Sequence, residues 1–172
     1  MKRLVVLALA LGAAAGAARS AEAELDLGGG RTLRYTVLDA SSALPSAKPV
    51  ALQVLQLLAE GRIEEAAAHS NAPQRRLEVL RDYRAQVGEE GFRQVFARYL
   101  EAGERVVAEV ARGPHRLIIW DLGAPALPLA GQFYVESAGR FVLDDAPGAQ
   151  RAQMQRILRH YREAARPSAR TE

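Results

Sequence analysis

Cysteine is absent from the 172 residues, and Lys2 and Lys48 are the only lysines. A chain without cysteine forms neither disulfides nor thiolate metal sites, so its folded state depends on a packed core. Because lysine is scarce, nearly every positive charge is an arginine, whose planar guanidinium pairs with carboxylates and phosphates. Alanine is equally overused, however, and a compositional bias explains both observations without an anionic ligand. We favour that explanation.

Apolar runs long enough to cross a bilayer as a helix, which takes about 20 residues, are also absent. An apolar run from Leu4 to Leu11 follows two basic residues and precedes a stretch of small residues. This three-part order is typical of a secretory signal peptide. We therefore predict a leader over residues 1–21, with cleavage after Ala18 or Ala23 as alternatives. The mature protein is predicted to be periplasmic or secreted and to have no transmembrane segment.

An excess charge of one sign is missing from the predicted mature chain. The whole sequence has a formal charge of +3, but Lys2, Arg3 and Arg19 all lie in the predicted leader. Removing these three from the 23 basic residues leaves 20, which equals the number of acidic residues. A neutral domain has no electrostatic reason to bind nucleic acid, and we predict no such partner.

The first half of the mature chain changes from alternating to helical spacing. Segments 24–27 and 31–38 alternate apolar and polar residues around three glycines, which predicts a β-hairpin. A linker follows, with Ser46 as the expected cap of the next helix, and Gly61 and Gly88 as later breaks. Apolar residues at helical spacing predict four helices, over 49–60, 62–69, 73–87 and 89–102.

After residue 103 the pattern returns to alternation and ends in a helix. We predict strands over 105–112, 116–121, 132–136 and 140–144, and a helix over 149–166. The fold class is therefore α+β, with an N-terminal β-hairpin, helices packed on one face of a curved antiparallel sheet, and an amphipathic C-terminal helix. The mature chain divides into a hairpin and linker (22–48), an α+β domain (49–166) and a disordered tail (167–172).

The order of these elements resembles one known superfamily. The helix over residues 50–60, the short turn into a second helix over 61–66, and the closing hairpin over 131–145 are similar to nuclear-transport-factor-like domains. Such domains fold a curved sheet around helices into a cone, whose open end often holds a pocket. The N-terminal hairpin and the C-terminal helix are additions to that plan. Members include enzymes, lipid carriers and binding modules, so the resemblance implies a fold but no function.

Polar and aromatic residues on the predicted strands are candidates for the pocket of such a cone: Glu109, Trp120, Asp121, Tyr134 and Glu136. The carboxylates could serve there as acid or base, and the tyrosine as a hydrogen-bond donor. The alternative, which we favour, is that Trp120 belongs to the core and Asp121 ends its strand. The three histidines lack metal-ligand spacing and no nucleophile motif occurs, so we predict no metal, no cofactor and no catalytic triad.

The predicted C-terminal helix has an apolar side and a basic side. Its basic side carries Arg151, Arg159, Arg162 and Arg166. Such a helix can lie on anionic lipid or dock on an acidic partner. The alternative, which we favour, is that the apolar side packs on the domain and the arginines face solvent.

Three functions are consistent with the sequence. The first is a non-catalytic envelope module that binds a small apolar ligand or a protein partner, and we prefer it because catalytic motifs are missing. The second is attachment of the domain to anionic lipid through the basic C-terminal helix. The third, which we rank last, is a small-molecule enzyme that uses the pocket carboxylates.

Overall fold

Six strands form one antiparallel sheet in which every strand pairs with its neighbours in sequence. A computed structural model describes residues 20–101, 106–123 and 129–165. The strands are β1 (Ala21–Gly28), β2 (Arg31–Leu38), β3 (Val106–Arg112), β4 (His115–Asp121), β5 (Leu129–Ser137) and β6 (Arg140–Leu143). The helices are α1 (Lys48–Ala59), α2 (Ile63–Ala68), α3 (Pro73–Glu101) and α4 (Ala149–Ala164). The predicted α+β class, the N-terminal hairpin and the C-terminal helix are confirmed. The predicted tail over 167–172 lies outside the described residues.

The helices cover both faces of the sheet, whereas the sequence suggested that they share one. Ile118 and Trp120 pack in a core with α1, α2 and α3. Leu117 and Ile119, the alternate residues of β4, pack in a second core with α4. Because β4 is apolar on both sides, each face of the sheet must be covered, and α4 covers the second one. The domain therefore has three layers.

Helix α3 contains both of the helices predicted over 73–87 and 89–102, with a kink at Gly88 between them. Gly88 has φ 77° and ψ 162°, a conformation that glycine adopts without the steric cost of a side chain. Beyond the kink, α3 carries an aromatic cluster in which the ring centroids of Phe92 and Phe96 are 4.8 Å apart. Those of Phe96 and Tyr99 are 6.2 Å apart. The cluster brings aromatic side chains toward the end of the sheet at β5.

The short strand β6 leaves the first half of β5 without a paired strand on its outer side. It pairs only with residues 134–137 of β5, so within the described chain residues 129–133 pair only with β4. On its outer side β6 contacts the turn after α2, where Leu143 N–H donates to His69 O at 2.7 Å. The N–H of Asn71 donates back to Leu143 O at 2.9 Å. This edge of the sheet, between α3 and α4, is where the candidate site lies.

Candidate functional site

Two of the five candidate pocket residues are sealed in the core beneath α1–α3. Trp120 and Tyr134 have no exposed surface. Both donate to the amide oxygen of Gln132, Trp120 through Nε1 at 3.1 Å and Tyr134 through its hydroxyl at 3.4 Å. Burial raises the pKa of the Tyr134 hydroxyl well above its ordinary value, because a phenolate there would lose its hydration. Neither side chain presents surface to a cavity open to solvent.

The carboxylate of Glu109 is buried on β3 and holds the start of α1. One oxygen accepts a hydrogen bond from the Ala47 N–H at 2.7 Å, and the other accepts from the Ser46 hydroxyl at 2.5 Å. Ala47 is the N-cap residue of α1 and has no side chain able to cap. A strand residue thus fixes the entry into this helix, which is a structural role for the carboxylate.

The other two candidate carboxylates have separate positions. Asp121 follows Trp120 in β4 and so lies on the opposite face of the sheet, and it accepts from the Gly123 N–H at 2.8 Å. Glu136 lies exposed on β5. Of the five candidate residues, the structure brings Trp120 and Tyr134 together through one shared partner.

The arginines predicted to contact an anionic surface also differ in their surroundings. The guanidinium of Arg151 lies 4.7 Å above the ring of Phe133. Arg162 donates from Nε to a backbone carbonyl of β5 at 2.9 Å. Arg159 is exposed, and Arg166 lies outside the described residues. Two of the four are therefore held against the sheet.

A cavity of about 440 Å³ lies between α3 and α4, where the chain leaves β6. Its volume is in the range of small-molecule sites. Three arginines line it, Arg75 and Arg76 from α3 and Arg151 from α4. The remaining lining residues are Val79, Asp145, Pro147, Gly148, Ala152 and Gln155. We call this cavity the arginine cleft.

The start of α4 borders the arginine cleft and is uncapped. Gly148 is the N-cap residue and makes no side-chain cap, and the first turn of α4 contains no acidic residue. The first N–H groups of a helix have no partner within the helix, and the helix dipole places partial positive charge at this end. Both properties favour an anion beside the three arginines.

Positive charge exceeds negative charge in the arginine cleft. Asp145 is the single carboxylate among its lining residues, and it accepts from the Ser70 hydroxyl at 2.7 Å and pairs with Arg76 at 3.4 Å. Three arginines against one carboxylate leave two positive charges unbalanced. The Nε of Arg76 is buried and has no hydrogen-bond partner among the described residues. Leaving a buried donor unpaired costs about 1–3 kcal/mol, and an oxygen of a bound anion would satisfy it.

Asn71 holds the chain that forms one wall of the arginine cleft. Its Oδ1 accepts from the backbone N–H groups of Asp145 at 2.8 Å and Ala146 at 3.0 Å. Its Nδ2 donates to Asp144 at 2.9 Å, whose other oxygen lies 3.2 Å from Nδ1 of His115. These bonds fix Asp145 in place without a bound ligand, so this wall is preformed.

A second cavity of about 200 Å³ adjoins the arginine cleft. The two cavities share Arg76, Asp145 and Arg151. The rest of its lining comes from the second half of α3, from β5 and from the end of β6: Phe96, Tyr99, Gly131, Gln132, Phe133 and Leu143. Because three aromatic rings line it, we call it the ring subsite.

Arg75 and Arg76 are not among the residues that the sequence pattern predicts for a site. Adjacent arginines in a helix have the pattern of an ordinary solvated face, and only the packing of α4 across the sheet edge brings Arg151 near them. A usable signal was the start of the last helix. Pro147 and Gly148 precede a helix whose first turn contains no acid, so its N-terminus is uncapped and open to an anion.

No family model, no curated protein and no solved structure matches the chain. The resemblance to nuclear-transport-factor-like domains therefore stays a prediction, and function has to be argued from the site itself. In the part of the chain that the structure describes, no helix has both the length and the apolar character to cross a membrane. In the same part, no three metal-ligating side chains lie together.

Proposed function

We propose that the protein is an exported, non-catalytic binding module whose ligand is a small anion held in the arginine cleft. One observation carries the proposal: Arg75, Arg76 and Arg151 converge on a single cavity at the uncapped start of α4. Guanidinium groups bind carboxylate and phosphate oxygens in two-pronged geometry. This proposal replaces the small apolar ligand or protein partner that the sequence suggested with a small anion.

The side chains of the arginine cleft support binding rather than proton transfer. Its charged groups are three arginines and Asp145. Arginine stays protonated at neutral pH, and Asp145 is occupied by Ser70 and Arg76. The polar groups of the arginine cleft are therefore suited to holding an anion in place.

The same contacts favour a small ligand over a membrane surface. Arg151 is held over Phe133, and Arg162 is bonded to a carbonyl of β5. A flat lipid surface is best met by arginines that project freely from one face of a helix. A small anion, by contrast, can enter the space between α3 and α4 and reach Arg151 where it lies.

The proposed export is compatible with the position of β1. This strand begins at Ala21, and the Thr36 hydroxyl donates to Glu22 at 2.7 Å. Cleavage after Ala18 would keep the whole strand, whereas cleavage after Ala23 would remove its first three residues. We therefore propose Ala18 as the last residue of the leader.

Inorganic phosphate is a simple probe of the arginine cleft. We expect wild-type protein to bind phosphate in isothermal titration calorimetry. A double variant, Arg75→Ala with Arg151→Ala, should bind at least about tenfold more weakly, because a hydrogen bond to a charged group contributes about 1.5–3 kcal/mol. We leave Arg76 unchanged, since it also pairs with Asp145.

The matched control removes the same number of positive charges, two, from positions outside the arginine cleft. Arg98 and Arg159 are both exposed, and the double change of these two to alanine should leave phosphate affinity within about twofold, because exposed charges are screened by salt. The proposal fails if the wild-type protein binds no phosphate. It also fails if the cleft variant and the control variant bind phosphate equally well.

A further inference from the structure

We infer that the ligand of the arginine cleft is an organic anion with a ring-sized apolar group, which occupies the ring subsite while the charge contacts the arginines. The inference rests on the proposed function, because both place the negative charge at Arg75, Arg76 and Arg151. It adds the chemical class of the ligand: a phosphate or carboxylate carrying an aromatic ring next to the charge.

Arg151 connects the two cavities. Its guanidinium lies over the ring of Phe133 at 4.7 Å and lines both the arginine cleft and the ring subsite. An anion bonded to Arg151 is therefore adjacent to the aromatic lining. Arg76 and Asp145 also belong to both linings, so the two cavities are direct neighbours.

The size and lining of the ring subsite suit one aromatic ring. A cavity of about 150 Å³ is enough to bind benzene when apolar side chains line it. The ring subsite measures about 200 Å³, and its lining combines three aromatic rings with the polar side chains of Arg76, Gln132, Asp145 and Arg151. Phe96 and Tyr99 line it with their rings tilted by 32°. Tilted and offset arrangements are the ones in which aromatic rings attract each other. An added ring would extend this arrangement and exclude water from the partly buried side chains.

Gly131 gives the ring subsite a polar backbone edge. The carbonyls of Leu129 and Phe133 accept hydrogen bonds from Arg162 and from the Asp144 N–H, both on the side away from β4. Strand residues two apart direct their backbone groups to the same side, so the N–H and C=O of Gly131 also face the free edge. A polar atom between the charge and the ring of the ligand would have a partner there.

Phenyl phosphate and methyl phosphate test the ring directly, because the two monoesters carry the same charged group. We expect wild-type protein to bind phenyl phosphate about tenfold more tightly than methyl phosphate, from the apolar area that a ring buries. Benzyl alcohol, which has the ring but no charge, should bind more weakly than either monoester. Calorimetric titrations of the three compounds give the comparison.

Two variants test whether the side chains lining the ring subsite cause the preference for phenyl phosphate. Tyr99→Ala should reduce the tenfold preference for phenyl phosphate over methyl phosphate to about threefold or less. Tyr83→Ala is the matched control, because Tyr83 contacts Phe92 and Phe96 in the same aromatic cluster but does not line the ring subsite. It should leave the preference intact.

The outcomes separate this inference from the proposed function. Equal binding of the two monoesters by wild-type protein overturns the inference and leaves the anion site standing. A preference that survives Tyr99→Ala, or that Tyr83→Ala removes equally, also overturns it. If neither monoester binds, the anion site itself is refuted. The comparison of ligands on wild-type protein needs no variant, so it holds even if Tyr99→Ala fails to fold.

Discussion

The core beneath α1–α3 and the arginine cleft differ in how their charged groups are partnered. In the core, Glu109 accepts two hydrogen bonds from the start of α1, and Arg116 donates to three backbone carbonyls. In the arginine cleft, three arginines face one carboxylate, and Arg76 has a buried N–H without a partner among the described residues. The groups of the first arrangement find their partners within the chain, and we propose that an added anion completes the second.

Arg116 is a buried arginine whose guanidinium has hydrogen-bond acceptors within the chain. It is 2% exposed, and its guanidinium also lies 5.1 Å over the ring of Phe141. Burial lowers its pKa, and the charges of Glu109 and Glu136 oppose that shift. A buried charge is tolerated when its donors all find acceptors. By this standard the buried Nε of Arg76, which has no partner among the described residues, is an exception, and it lies in the cleft to which we assign function.

The largest expected effect follows from removing Glu109. Glu109→Ala takes away the acceptor for Ser46 and Ala47 and removes one of the two carboxylates whose charges act on Arg116. We expect the free energy of unfolding to fall by about 3 kcal/mol, because hydrogen bonds to a charged group are lost and a buried N–H is left unpaired. Urea denaturation followed by circular dichroism measures this loss.

Glu136→Ala is the control for this prediction. Glu136 is also a strand glutamate, but it is exposed, so its removal should change the free energy of unfolding by less than about 0.5 kcal/mol. If Glu109→Ala is equally mild, the carboxylate is not holding α1. The claim that the charged groups of the core stabilise the fold through partners within the chain would then fail for Glu109.

Local patterns in the sequence were sufficient to predict most of the elements. The apolar stripe of α1 is buried at Val54, Leu57 and Leu58, and Gly88 interrupts α3 where its conformational freedom is used. Both features depend on neighbours within a few residues. They are readable because helical spacing and glycine conformation are local properties.

The arrangement of layers and the site depend on contacts between distant residues. The entry to α1 was expected to depend on Ser46, and its hydroxyl does accept from the Lys48 N–H at 3.1 Å. Glu109 on β3, which no local pattern indicated, binds both that hydroxyl and the Ala47 N–H. The position of α4 on the second face followed from the apolar residues on both sides of β4, a signal that the sequence contained. The meeting of Arg76 with Arg151 had no local signal, because α3 and α4 approach each other only at the edge of the sheet.

A smaller effect is expected where α4 packs on β5. A Cβ added to Gly131 would lie 2.5 Å from Cδ2 of Leu158 and 3.0 Å from Cδ1 of Leu117, so these buried side chains must rearrange or α4 must shift. We expect Gly131→Ala to lower the free energy of unfolding by about 2 kcal/mol, the typical cost of overpacking a core. Since α4 carries Arg151, phosphate binding should weaken in the same variant.

Gly91→Ala provides a control with the opposite sign. Gly91 lies in α3, and its nearest atom to an added Cβ is Cβ of Val87 at 3.6 Å, an ordinary contact. Alanine is a better helix former than glycine, so stability should rise by about 0.5–1 kcal/mol. If Gly131→Ala is as stable as the wild type, the contact between α4 and β5 is looser than the structure indicates.

The smallest expected effect on stability belongs to the arginine cleft itself. Arg75 is exposed and belongs to a lining with surplus positive charge, so its removal relieves repulsion rather than breaking a needed contact. Arg75→Ala should change the free energy of unfolding by less than about 0.5 kcal/mol in phosphate-free buffer. Saturating phosphate, at about 100 times its dissociation constant, should then stabilise the wild type by about 2.7 kcal/mol. At the same phosphate concentration the variant should gain less, because its affinity is lower. A large loss of stability without phosphate would instead show that Arg75 makes contacts that stabilise the fold, as Glu109 and Arg116 do.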